Sequence, residues 1–158
     1  MTRSPKTQKT AQAKGQKLSN FLCFAVYSAN LAFGRAYKPI LDAAGLTYTQ
    51  YIAMVGLSES DEQTVSELGE KLFLESNTLT PILKKLEQIG YISRTRDSSD
   101  ERKVKVSLTA VGRRLLKNDL GSSLVEACGM GDEFSAVQKN VVRLRDNLLR
   151  NTKGKEDE

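Results

Sequence analysis

The apolar positions of this chain follow a helical period along most of its length and switch to strict alternation once. From Leu18 to about Asp42, Phe21, Leu22, Phe24, Ala25, Leu31, Ala32 and Ala36 form a broad stripe. This predicts a helix with Ser19 or Asn20 as N-cap, kinked or restarted at Pro39. After Gly45, Thr47-Tyr48-Thr49-Gln50 has capping-box spacing for a second helix carrying Tyr51, Ile52, Met54, Val55 and Leu57. A polar loop from Ser58 to Gln63 leads to a second such box, Thr64-Val65-Ser66-Glu67, and a short helix burying Val65, Leu68 and Leu72. A further helix runs from about Glu75 to Ile89, with Leu79, Ile82, Leu83, Leu86 and Ile89 on one face.

The period then changes. Residues 91–96 and 103–108 alternate apolar with polar, as half-buried strands do, and the charged, turn-rich residues 97–102 join them as a hairpin loop. Thr109 caps a long helix through Leu115, Leu116, Leu120 and Leu124 towards Cys128, where Gly129 and Gly131 break it. A last helix, from Glu133 to about Arg150, stripes Phe134, Val137, Val141, Leu144 and Leu148.

A three-helix unit followed at once by a β-hairpin is a winged helix. The expected fold is therefore mainly α, a winged helix-turn-helix with a two-stranded wing. The N- and C-terminal helices carry more apolar surface than so small a lobe can cover. Burial against a second copy is the economical solution, which makes them a dimerisation region; a monomeric helical domain leaves their stripes unexplained. The organisation expected is a disordered basic tail at 1–17, one domain at 18–150 and a disordered tail at 151–158. Within the domain, 18–45 and 110–150 are the dimerisation helices and 46–109 the winged helix-turn-helix.

Composition removes several functions. The chain has no histidine, and with it go the commonest general base, the Ser-His-Asp arrangement and most zinc sites. No strand–helix alternation and no CxxC motif support a thiol peroxidase, so no enzyme activity, cofactor or metal is expected. No apolar run is long enough to span a membrane, and the N-terminus lacks the apolar core of a signal peptide, which points to the cytoplasm. The net charge of +5 matches the five bases Arg3, Lys6, Lys9, Lys14 and Lys17, which stand in the first 17 residues without an acid. That tail is either a nucleic-acid arm or a solubilising extension.

Helical spacing places Asn77, Pro81 and Lys84 opposite the apolar face of the fourth helix, with Thr78, Thr80 and Lys85 on its flanks. This short, polar, basic surface suits base edges and phosphates in a major groove, although any solvated helix shows a similar one. The hairpin adds Arg94, Arg96, Arg102, Lys103 and Lys105. Arg102, near its tip, is placed to reach an adjacent minor groove. Edge protection by charge is the alternative.

Cys23 falls in the first turn of the first helix, where unsatisfied backbone N–H groups favour a thiolate. Tyr27, Tyr37, Tyr48 and Tyr51 follow closely, and phenols are useful donors to such a sulfur. The plainer reading is a buried packing cysteine.

The segments Ser66-Glu67-Leu68-Gly69, 77–87, Gly90-Tyr91-Ile92, Asp100-Glu101-Arg102-Lys103, Ser107-Leu108-Thr109 and Gly112 resemble the MarR family of winged-helix regulators from about Leu18 to Leu149. Asn77 departs from the small residue usual there. Residues 22–28, 36–42 and 45–51 are similar to its organic-hydroperoxide sensors, the OhrR group. The first resemblance implies a homodimer on pseudo-palindromic operator DNA. The second implies a repressor with Cys23 as sensing thiol, Tyr37 and Tyr48 of the other subunit bonding it, and Tyr27 in the same pocket. It also implies that Cys128 is the resolving cysteine of the two-cysteine branch, that organic hydroperoxide is the signal, and that genes for its detoxification are the targets. A MarR-type repressor released by an aromatic or lipophilic ligand in the dimer cleft is the alternative.

Overall fold

A computed structural model describes residues 17–153, except 101 and 119. Residues 1–16 of the expected basic tail and 154–158 of the expected C-terminal tail therefore lie outside the described chain, whereas residues 151–153, expected in that second tail, continue the last helix. A 3₁₀ turn at Leu18–Asn20 precedes α1, Leu22–Asp42, and a second, Gly131–Glu133, precedes the last helix. There follow α2 (Tyr48–Ser58), β1 (Gln63–Thr64), α3 (Val65–Leu72) and α4 (Ser76–Gln88). The hairpin β2 (Ile92–Arg96) and β3 (Val104–Leu108) leads to α5 (Ala110–Lys117), α6 (Leu120–Ala127) and α7 (Phe134–Lys153).

Both predicted capping boxes form. Thr47 Oγ1 accepts from Gln50 N–H at 3.3 Å while Gln50 Oε1 accepts from Thr47 N–H at 2.9 Å. Thr64 and Glu67 repeat the exchange at 3.2 and 2.7 Å. Each box satisfies orphan donors in the first turn, so α2 and α3 start where the sequence places them. The core lies between these helices, α4 and the sheet, with Met54, Leu57, Leu68, Leu79, Leu83, Leu86 and Val106 fully buried.

Four local expectations need correction. The first helix begins at Leu22 and not at Leu18, and its N-cap is Phe21, without a side-chain cap bond, in place of Ser19 or Asn20. Pro39 lies inside α1, which runs through it to Asp42 without the expected restart; one missing N–H is tolerated so near the helix end. The predicted long helix after Thr109 is two helices, because the backbone of Asn118 leaves the helical region (φ −84°, ψ 51°). The hairpin is part of a three-stranded antiparallel sheet, ordered β1-β3-β2, since Gln63 pairs with Val106 and Thr64 with Lys105. The loop before α3 thus ends in a strand, and Gln63 is buried with its amide donating to the carbonyls of Gly56 and Ser60.

The stripes on α1 and α7 are not covered within one chain. Leu22 is 62 % and Leu148 58 % exposed, and Val26, Val137 and Val141 are exposed beside them. No helix among the described residues is long and apolar enough to cross a membrane.

Candidate functional site

Helix α4 turns its apolar residues into the core and the expected reading face outward. Leu79, Leu83 and Leu86 are buried, whereas Asn77, Thr78, Pro81, Lys84 and Lys85 are exposed and Thr80 is half-buried. The Thr78 hydroxyl donates to Asn77 Oδ1 at 3.2 Å, and the Thr80 hydroxyl to the Ser76 carbonyl at 2.6 Å. Pro81 has no N–H, so the Asn77 carbonyl loses its helical donor. The N-terminal half of α4 thus presents exposed Asn77, Thr78 and Pro81, while the Thr80 hydroxyl is committed to the Ser76 carbonyl.

The wing distributes its bases unevenly. Arg94 meets Glu87 of α4, Lys105 lies 3.4 Å from Asp97 and 3.7 Å from Glu62, and Lys103 is 3.9 Å from Asp100. Among the described residues no ion pair includes Arg96 or Arg102, and both are exposed. Asp97 shapes the loop by accepting from the Ser99 hydroxyl at 2.6 Å and the Ser99 N–H at 2.8 Å. These two bonds, with Lys105 adding to them, hold its carboxyl down to about 2. Arg102 follows at the loop, its N–H donating to Asp100 Oδ1 at 3.1 Å.

The two thiols occupy different places. Cys23 is the second residue of α1, two positions past the cap, exposed, and beside an apolar hollow of about 380 Å³ lined by Leu18, Phe21, Phe24 and Tyr27. Cys128 is half-buried just beyond α6. Its Sγ lies 2.9 Å from the Tyr37 hydroxyl and donates to the Leu124 carbonyl at 3.3 Å. The Tyr37 ring stands 5.6 Å from that of Tyr48 and 5.4 Å from that of Phe33. Burial first, and then the hydrogen bond to Cys128, push the Tyr37 phenol far above its ordinary range. Burial and the nearby Cys128 raise Tyr48, and burial with the neighbouring Tyr48 raises Tyr51. These phenols stay protonated and keep a proton to donate. A cavity of about 770 Å³ opens beside them, with Tyr51, Val125 and Phe134 in its wall.

The structure thus groups Cys23 with Tyr27 and Cys128 with Tyr37 and Tyr48. The 14 helical residues from Cys23 to Tyr37 span about 21 Å along α1. Sequence reasoning named Tyr51 among the useful phenols but did not place it in the thiol pocket, although its position three residues after Tyr48 puts both on one helix face. It overlooked Glu87, whose role depends on a partner across the α4–wing junction.

A family model described as the transcriptional regulator SarA/Rot matches residues 35–119, just over half of the chain. The HTH-type transcriptional regulator TtmR of Methylorubrum extorquens is 45 % identical over 142 residues, covering 88 % of this chain and 73 % of its own. The organic hydroperoxide resistance transcriptional regulator of Bacillus subtilis is 48 % identical over 99 residues, 63 % of this chain and 67 % of its own. Among solved structures, reduced AbfR bound to DNA is 35 % identical with a TM-score of 0.70, covering 84 % of this chain and 94 % of that one. AbfR, from Staphylococcus epidermidis, also has a disulfide-formed structure, with a TM-score of 0.63 at 33 % identity over 84 % of this chain and 92 % of its own. CouR of Rhodococcus jostii bound to p-coumaroyl-CoA is 26 % identical with a TM-score of 0.68, covering 85 % and 93 %. The chain belongs to the SarA/Rot family of transcriptional regulators, DNA-binding winged helices of MarR type.

Proposed function

We propose that this regulator is a homodimeric repressor of organic-hydroperoxide detoxification genes, switched off when Cys23 is oxidised. The observation that carries the reading is the Tyr37–Cys128 contact, flanked by Tyr48 and set about 21 Å along α1 from Cys23. A disulfide needs Cα atoms within about 7 Å, and a rigid α1 opposes that approach within one subunit. A two-fold dimer formed through the exposed stripes of α1 and α7 supplies another sulfur, Cys23 of the partner subunit. In this arrangement residues 18–45 and 110–150 join the subunits, and residues 46–109 read a pseudo-palindromic operator.

The chemistry needs one oxidant, an organic hydroperoxide. The Cys23 thiolate attacks its outer oxygen, the O–O bond breaks, and an alcohol leaves with a proton, giving a sulfenic acid at Cys23. The partner's Cys128 then attacks that sulfur, forming the disulfide and releasing water. Tyr37 and Tyr48, both protonated, are donors to negative charge on either sulfur. The apolar hollow around Cys23 suits an oxidant with a hydrocarbon group. Joining the thiols moves α1 against α6 and carries the two reading heads out of the half-site spacing of about 34 Å.

The test uses purified protein and a duplex from upstream of its own coding sequence. Binding is expected to be lost with cumene hydroperoxide and restored by dithiothreitol, and Cys23→Ser is expected to bind but ignore the oxidant. Release of Cys23→Ser by peroxide would overturn the reading.

A second reading has support of its own. The cavity of about 770 Å³ beside the tyrosines and the likeness to ligand-bound CouR favour release by an aromatic or lipophilic ligand. Alkylating Cys23 separates the two, because a passive cysteine is blocked without loss of the response.

A further inference from the structure

A single carboxylate joins the two arms of the reading head. Glu87 lies in the last turn of α4, and Arg94 is the central residue of β2. Glu87 Oε2 accepts from Arg94 Nε at 2.9 Å and from Nη2 at 2.6 Å. The side chains are only 37 % and 25 % exposed, so the pair is partly shielded from solvent. The connecting backbone turns through Gly90 (φ +82°), where an added Cβ would meet nothing within 4 Å. Backbone bonds hold this turn, the Gly90 N–H donating to the Glu87 carbonyl at 3.0 Å and the Thr109 hydroxyl to the Gly90 carbonyl at 2.7 Å. The charge-assisted contact made by two donors adds a side-chain constraint on the angle between helix and strand.

We infer that Arg94 is a positioning residue and not a DNA contact: with Glu87 it sets the angle at which the wing leaves α4. The face of α4 and Arg102 can then enter neighbouring grooves of one duplex together. The guanidinium that composition alone assigns to phosphate is committed to a protein carboxylate, leaving Arg102 at the tip as the reaching group. The inference rests on the DNA-reading assignment of α4 and the wing.

The sign of one substitution distinguishes this role from simple electrostatics. Glu87→Gln removes a negative charge near a polyanion, which by charge alone strengthens binding. A positioning role requires the opposite, a loss of about tenfold in affinity for the upstream duplex, the scale of one lost groove contact. Arg94→Ala is expected to lose as much, with the double variant no weaker than either single one, because both remove the same contact. The exchanged pair, Glu87→Arg with Arg94→Glu, is expected to recover part of the loss. Hydroxyl-radical footprints are expected to lose protection under the wing and keep it over the major grooves, whereas an unfolded lobe loses both. Glu87→Gln binding as tightly as the parent or tighter, or losses that add in the double variant, would overturn the inference. Failure of the underlying assignment is a separate result: Arg102→Ala would then leave affinity unchanged while the parent still bound DNA.

Discussion

Tyr37 and Cys128 lie 91 residues apart in sequence, yet the phenol oxygen of one stands 2.9 Å from the sulfur of the other. The contact ties the C-terminal half of α1 to the end of α6, where the chain turns back through Gly129 (φ +65°). The sulfur already donates to Leu124, so the phenol is the natural donor to Sγ. Tyr37→Phe keeps the ring packing on Phe33 and Tyr48 and removes only the donor. The expected outcome is slower disulfide formation after hydroperoxide, followed as time courses on non-reducing gels. Unchanged kinetics would show that the hydroxyl is not used.

The arrangement of the thiols makes a statement about covalent connectivity. Fully oxidised protein is expected to run as a covalent dimer, and Cys128→Ser to abolish that band while still reacting at Cys23. Without a second thiol, the sulfenic acid advances to sulfinic acid and the variant recovers poorly in dithiothreitol. Mass spectrometry of the two oxidised proteins checks both halves. A monomeric disulfide in the parent would contradict the inter-subunit assignment.

Two exposed bases of the reading head are expected to behave differently. Arg102→Ala should weaken operator binding by about 1–3 kcal/mol, as loss of a specific groove contact does. Lys84→Ala should weaken binding to all sequences alike and reduce the salt slope by about 1. Titrations at several salt concentrations, on operator and on unrelated duplex, separate the two. Identical behaviour of the variants would remove the distinction between wing and helix.

The wing loop carries an acid-sensitive turn. The Asp97 carboxyl titrates at about 2 in the folded chain against an ordinary 3.8, because the ionised form accepts two bonds from Ser99. A depressed carboxylate stabilises the fold above its unfolded value and loses that contribution as pH falls through the folded one. The turn is therefore expected to loosen as pH drops from about 4 to about 2. The protection factor of the Ser99 amide, its exchange relative to an unstructured peptide at the same pH, is expected to fall over that window, and Asp97→Asn to remove the dependence.

Gly112 is a tight spot in the join between wing and α5. Its N–H donates to Thr109 Oγ1 at 3.1 Å, and the Thr109 hydroxyl donates to the Gly90 carbonyl at 2.7 Å. An added Cβ would run into the backbone carbonyl of Tyr91, which cannot swing aside as a side chain does. Gly112→Ala is expected to destabilise the fold by about 1–3 kcal/mol, measured by urea unfolding. Stability equal to the parent would mean that this junction yields more easily than its packing implies.

Where a signal repeats locally, sequence and structure agree. The boxes at Thr47 and Thr64, the buried row Leu79, Leu83 and Leu86, and the alternation of β2 and β3 all follow from neighbours within four residues. Such patterns set the elements and the winged-helix order, since they report which face of a helix or strand must leave water. The basic surface of α4 and the presence of two thiols were equally legible.

Tertiary structure decided which of those groups meet. The two-residue strand β1 is too short for any period, and buried Gln63 reads as a loop residue until the carbonyls of Gly56 and Ser60 are brought to its amide. Arg94 has the same formal charge as Arg102, but only the packing of β2 against α4 gives it a carboxylate partner. Tyr37 lies in α1 and Cys128 just beyond α6, elements that approach through long-range burial, and no local pattern encodes that contact. Local sequence determines which surface each element must bury; the partner of a polar group depends on how those buried surfaces pack, a sum over residues far apart in the chain.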